Sequence, residues 1–140
     1  MPPSRVFPPS PEGLEKLERA LVVLIAVHSV VVGLFLTFAT DWGARFGGFP
    51  SPVPLFFPRQ AGAFHFVVAA IYLVEYFHYR GVGLLVMTKS MAVAFLFLTA
   101  VLDDVPWLVP LSGLGDGLMA VAVVALRRAR GLPLLGGRRE

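Results

Sequence analysis

Four apolar runs, each close to the length that carries a helix through a bilayer, constrain this chain more than any other feature. They are Ala20 to Thr40, Gln60 to Tyr79, Val82 to Leu102 and Trp107 to Leu126, and a helix needs roughly 20 residues to cross the hydrocarbon core. With 56% hydrophobic and only 15% charged residues in 140, the expected solvent is lipid rather than water. The pattern predicts an all-α fold, an integral membrane four-helix transmembrane bundle running antiparallel, up and down. Its helices fall at about 14–40, 59–79, 82–102 and 107–129, within a domain spanning 14–130.

The segments between and beyond the runs are short of regular-structure signals. Residues 1–13 are proline-rich and read as an extended tail. Ser10 can cap a helix with Pro11 at its first position, and Leu14 and Leu17 with Glu15, Lys16 and Glu18 make an amphipathic lead into the first run. The outer loop 41–58 carries prolines and glycines that oppose regular structure, with Trp42, Phe56 and Phe57 suited to the headgroup layer. Little more than Arg80-Gly81 joins the second and third runs, which predicts an antiparallel hairpin. Residues 131–140 read as a basic tail.

Charge distribution gives the expected orientation. Apart from Lys89, the 12 Lys and Arg residues divide nine to two. Arg5, Lys16, Arg19, Arg80, Arg127, Arg128, Arg130, Arg138 and Arg139 fall on one side; Arg45 and Arg59 fall on the other. The positive-inside rule then places both termini in the cytoplasm, and the expected location is the cell (inner) membrane, as a multi-pass protein. The flank of the first run carries three Glu against one Lys and one Arg, so the run is read as an uncleaved helix rather than a secretory signal. The absence of cysteine excludes disulfides, Cys-ligated metals and thiol redox chemistry by this chain. No basic face with interleaved aromatics points to nucleic acid.

The informative residues are the polar ones inside the runs. Between Leu84 and Leu102 only Thr88, Lys89, Ser90 and Thr99 interrupt the apolar sequence, and a lone ammonium at that depth costs at least ~2.5–3.5 kcal/mol. At ~1.5 Å per residue, Lys89, His28 and Asp116 lie roughly 12, 14 and 16 Å from the cytoplasmic end. Asp116 is therefore the expected partner of Lys89. Glu75, about 7 to 8 Å in, can reach water or bend toward this buried polar cluster of His28, Glu75, Lys89 and Asp116. The cluster is either a structural ion pair that fixes helix register or a ligand or proton site.

A second constellation runs down the second helix. His65, Tyr72, Tyr76 and Tyr79 share one sector at 100° per residue, with Gly62 and Ala69 beside it. The plain reading is interfacial tyrosines and a hydrogen-bonded interior histidine. The functional reading is a flat wall for a quinone or other ring-bearing lipid, with Arg59, Gln60, His65, Tyr72 and Tyr76 as ligand-binding candidates. Haem ligation by His28 and His65 is opposed by their depths, about 18 Å against about 9 Å below the outer ends of their helices. No metal site is expected.

The stretch FPRQAGAFHFVVAAIYLVEY follows a His28-x4-Gly33 helix and a Phe46-Gly47 loop, and it precedes a lone Lys89 and an Asp116. In this order of features the chain resembles small bacterial four-helix membrane proteins of the DoxX-like group. The resemblance implies a four-helix transmembrane bundle. Members of that group include a membrane subunit of a thiosulfate:quinone oxidoreductase and partners of other redox proteins, while many have no known activity.

Three functions are compatible with these residues. The first is a non-enzymatic subunit or partner of a larger membrane assembly, associating with membrane lipids and with a protein partner or a second copy through small-residue helix faces. The second is a quinone- or lipid-binding membrane protein, part of an oxidoreductase. The third, a small proton-coupled transporter, is opposed by the lack of an acidic residue in the first apolar run.

Overall fold

The computed structural model describes residues 10–51 and 54–136. Expectations for residues 1–9 and 137–140 lie outside this range. Among the described residues the chain is all-helical, with α1 Pro11–Phe38, α2 Thr40–Phe46, α3 Phe56–Tyr79, α4 Gly83–Leu102 and α5 Leu108–Ala129. Four of these, all but α2, are long and apolar enough to cross a membrane. Their outward faces carry large apolar side chains, such as Val101 at 81% exposure and Phe95 at 67%. Continuous apolar surface of this kind suits contact with lipid and is uncharacteristic of a water-soluble monomer.

α1 starts where its cap dictates. The Ser10 hydroxyl accepts a 3.1 Å bond from the Gly13 amide, and Pro11 occupies the first turn, where no amide is needed. Residues 11–13 are thus helical, which corrects the expectation of a tail running to residue 13. At 28 residues α1 is about 42 Å long, so its first turns extend beyond a hydrocarbon core of about 30 Å.

The outer loop is also more ordered than its prolines and glycines suggest. α2 forms because local pairs favour it: Asp41 and Arg45 meet at 3.0 Å one turn apart, and the rings of Trp42 and Phe46 stack at 5.4 Å. Phe35 continues that stack to α1 at 5.5 Å, and Trp107 meets Phe46 edge-on at 5.9 Å. An aromatic chain therefore ties α1, α2 and the start of α5 together at this end.

The helices associate as two pairs. α1 packs along α3 and α4 along α5, while α3 touches α4 only sparingly and α1 touches α5 chiefly at one end. The Arg80-Gly81 connection does reverse the chain, but the hairpin it makes is splayed. Close packing is decided by small residues instead. A Cβ on Gly62 of α3 would lie 2.8 Å from the Gly33 carbonyl of α1, so these two backbones are nearly in contact. On the other pair, Gly113 of α5 faces Leu96 and Phe97 of α4, and Gly117 faces Val93.

At the end opposite the aromatic chain, the turn between α3 and α4 is closed by the chain itself. Arg80 takes the left-handed conformation at φ 57°. Beyond it the Val82 amide donates to the Leu134 carbonyl at 2.8 Å. Residues 132–136, part of the expected tail, are thus folded back over the turn.

Candidate functional site

The splay between α3 and α4 leaves a cavity of about 290 Å³ at the level of the apolar runs, and all four long helices contribute to it. Ala61, Phe64, His65, Val68 and Tyr72 of α3 form one wall. Thr88, Lys89 and Ala92 of α4 form the other, with Ser29 of α1 and Asp116 of α5 closing it. Its lining is mainly apolar with a few polar groups at one level, the usual chemistry of a site for a lipid-soluble molecule.

Lys89 and Asp116 meet here. Lys89 Nζ donates to Asp116 Oδ1 at 2.5 Å, with the lysine side chain 7% and the aspartate side chain 15% exposed. The GxxxG face of α5 lets α4 approach closely enough for this contact, since Val93, one turn beyond Lys89, packs on Gly117. An ammonium has three donors and a carboxylate about four acceptor positions. One bond joins them, and among the described residues no other side-chain partner of either group is found. The pair balances its charge while leaving hydrogen-bonding capacity beside the cavity.

Two groups on α3 add to that capacity. The Tyr72 side chain is buried at 1% exposure, and its hydroxyl, with the Thr88 side chain beside it, makes no well-formed hydrogen bond among the described residues. A buried, unpartnered hydroxyl costs about 1–3 kcal/mol, so it marks a position where a bound acceptor would be favoured. His65 Nδ1 lies 2.8 Å from the Ala61 carbonyl one turn back. A carbonyl only accepts, so this bond places the proton on Nδ1 and leaves Nε2 of the neutral ring as an acceptor. Seven residues separate His65 and Tyr72, which brings both to the same face of α3.

The other candidates lie elsewhere. Arg59 and Gln60 are exposed at the start of α3 and do not line the cavity. They stand roughly 120–140° around the helix from His65, at 100° per residue. Tyr76 shares the face of Tyr72 but lies one turn further on, in a separate cleft at the end of the bundle. His28 of α1 stands near the Lys89–Asp116 pair, within reach of both charges, but its side chain is exposed and does not line the cavity. Glu75 is buried, yet it is not turned to Lys89. Its Oε1 accepts from the Leu84 amide at 2.8 Å and its Oε2 from the Leu85 amide at 3.1 Å. α4 has no cap of its own at Val82, so the Glu75 carboxylate supplies one from the preceding helix and meets the positive end of the α4 dipole.

A second buried ionic system was not anticipated from the sequence. Glu18, fully buried, accepts from Arg127 Nη1 at 2.9 Å with one oxygen and from Arg130 Nη1 at 2.9 Å with the other. Arg130 also reaches Glu15 at 3.1 Å, and Arg127 donates to the Arg80 carbonyl. The matching three-residue spacings, Glu15-x2-Glu18 and Arg127-x2-Arg130, are the sequence signal that could have revealed it. This network ties the first turns of α1 to the last turns of α5 and to the α3–α4 turn.

Comparison of the chain with protein-family models, with curated proteins and with solved structures finds no match in any of the three.

Proposed function

We propose that this chain is a small multi-pass membrane protein that binds a quinone or a similar ring-bearing lipid in the cavity between α3 and α4. The observation that carries the reading is the Tyr72 hydroxyl, buried beside Thr88 without a well-formed hydrogen bond in an apolar cavity that also holds the Lys89–Asp116 pair. A carbonyl oxygen of the ligand would accept from Tyr72 or from a spare Lys89 donor, and a ligand hydroxyl would donate to His65 Nε2 or to Asp116. The ring would lie against Phe64 and Val68, and a volume near 290 Å³ suits a single ring with its tail extending into lipid.

The same reading keeps the DoxX-like kinship and with it an inner-membrane location, on the order of motifs, and both termini cytoplasmic, on the nine-to-two division of basic residues. Reporter fusions at Glu140 and near Ser51 are expected to report opposite sides. Gly33, Gly62 and Gly113 are occupied inside the bundle and so are not free to dock a partner.

The test uses mass spectrometry of molecules retained after mild detergent extraction, together with melting of the ligand-free protein. Tyr72→Phe removes an unpartnered hydroxyl, so the empty protein is expected to melt no earlier than the wild type, while retention of a quinone falls roughly tenfold. His65→Ala should lower retention as well. Unchanged retention in both variants would reduce the cavity to a packing gap.

A further inference from the structure

The end of the bundle that carries the Glu18 network has its own cleft, of about 530 Å³, and its chemistry is distinct from that of the cavity in the span. Four arginines line it: Arg19 of α1, Arg80 of the α3–α4 turn, Arg127 of α5 and Arg130 at the C-cap of α5. Their carboxylate partners are Glu15, at the rim, and Glu18, buried beneath. Both of those carboxylates are taken up by Arg127 and Arg130. Arg80 has no carboxylate partner among the described residues, and Arg19 lies with its guanidinium over the Phe77 ring, 5.3 Å from the centroid. Among the described residues, two positive charges are thus left unbalanced in one concave site.

The remaining lining is apolar. Phe77 comes from α3, and Leu132, Pro133 and Leu135 come from the segment folded over the α3–α4 turn. With the four long helices read as membrane spans, this cleft lies where headgroups meet hydrocarbon, and it offers guanidiniums and apolar surface side by side. Planar guanidinium groups recognise phosphate oxygens in pairs, and basic pockets between helix ends suit anionic headgroups. We infer that the cleft is a phosphate-binding site that holds the headgroup of an anionic phospholipid between Arg19 and Arg80, with the lipid's glycerol and chain against Phe77 and Leu135.

Arg80 allows a clean test. Its left-handed backbone conformation suits glycine better than any other residue, so Arg80→Gly deletes the charge without straining the turn and keeps the carbonyl that Arg127 uses. The full chain in a neutral detergent is melted against micelles doped with phosphatidylglycerol, against micelles doped with phosphatidylcholine, and against inorganic phosphate. Phosphatidylglycerol is expected to raise the wild-type melting temperature and phosphatidylcholine to leave it unchanged. Arg80→Gly and Arg19→Gln should each raise the half-saturating phosphatidylglycerol concentration roughly tenfold, the size of a lost charge-assisted hydrogen bond. Arg128→Gln removes a nearby exposed charge that does not line the cleft, and it should leave that concentration unchanged. The inference is overturned if Arg128→Gln weakens the response as much as the two cleft variants, or if phosphatidylcholine stabilises equally. A full response to inorganic phosphate through the same arginines would overturn the lipid assignment and give the site to a soluble phosphate. None of these outcomes depends on the cavity reading, which is tested at Tyr72.

Discussion

The molecule buries charge in two places, and it does so in opposite ways. At the end of the bundle, Glu18 has both oxygens engaged by two arginines, and Arg127 also reaches a backbone carbonyl. In the middle of the spans, Lys89 and Asp116 share one bond and face a cavity. Desolvating ions is costly, and the cost is offset only when the remaining donors and acceptors are also engaged. The end network comes closer to that condition, with both Glu18 oxygens engaged and Arg127 Nε the one atom of it buried without a partner, and it acts as a clamp between α1, α5 and the α3–α4 turn. The mid-span pair is balanced in charge but unfilled in hydrogen bonds, the arrangement expected of a group that waits for a ligand.

Breaking the clamp should produce the largest effect. Glu18→Ala removes the partner of two buried or half-buried guanidiniums at once, and breaking a buried pair costs about 3–5 kcal/mol. Denaturant titration in detergent is expected to show that loss, whereas Glu12→Ala, which removes an exposed pair with Lys16, should change stability by no more than about 1 kcal/mol. Equal effects would mean that the end network is no clamp.

The next effect concerns the frame that keeps the two regions apart. Gly62→Ala presses a methyl group into the Gly33 backbone, and overpacking of this kind costs about 1–3 kcal/mol. Because the α1–α3 pair forms one wall of the cavity, the variant should also lower quinone retention while leaving the response to phosphatidylglycerol unchanged. A loss of both responses would show that cavity and cleft are not independent.

The smallest effect lies at the opposite end, in the α2 loop. The Ser51 hydroxyl donates to Asp41 at 2.7 Å, and this bond, followed by the Arg45 charge, holds the Asp41 carboxyl below its ordinary value of 3.8. A depressed folded-state value means that the contact contributes above the unfolded value and is lost only as pH falls through the folded one. The loop should therefore keep its Ser51–Asp41 contact down to below pH 3.8. Amide exchange near Ser51 is expected to quicken in Asp41→Asn at neutral pH and to change little in the wild type until that acid range.

Much of this was legible before the structure. The four spans follow from apolar length. The Lys89–Asp116 contact follows from their similar depths, and the shared face of His65 and Tyr72 follows from the helical repeat. The pairing of helices did not follow, because the short Arg80-Gly81 connection suggested that α3 and α4 pack together. Backbone proximity at Gly33 and Gly62 outweighs connection length, and the gap that results is the cavity. Depth alone also misdirected Glu75. It fixed how far the carboxylate lies from the end of the helix, but not that the uncapped amides of α4 would compete for it. The Glu18 network escaped because charges at helix ends were read for orientation, where sign matters and spacing does not.

On the proposed function, the Lys89–Asp116 pair serves a ligand and is not merely a pin between α4 and α5. The most direct measurement combines a double-mutant cycle with retained-quinone analysis on Lys89→Met, Asp116→Leu and the double variant. Each single variant leaves an unpaired group and should melt early, and the double variant should recover much of the loss through a coupling of about 1–3 kcal/mol. This recovered, stable protein is expected to retain no quinone. A double variant that is stable and still retains quinone at the wild-type level would contradict the proposal.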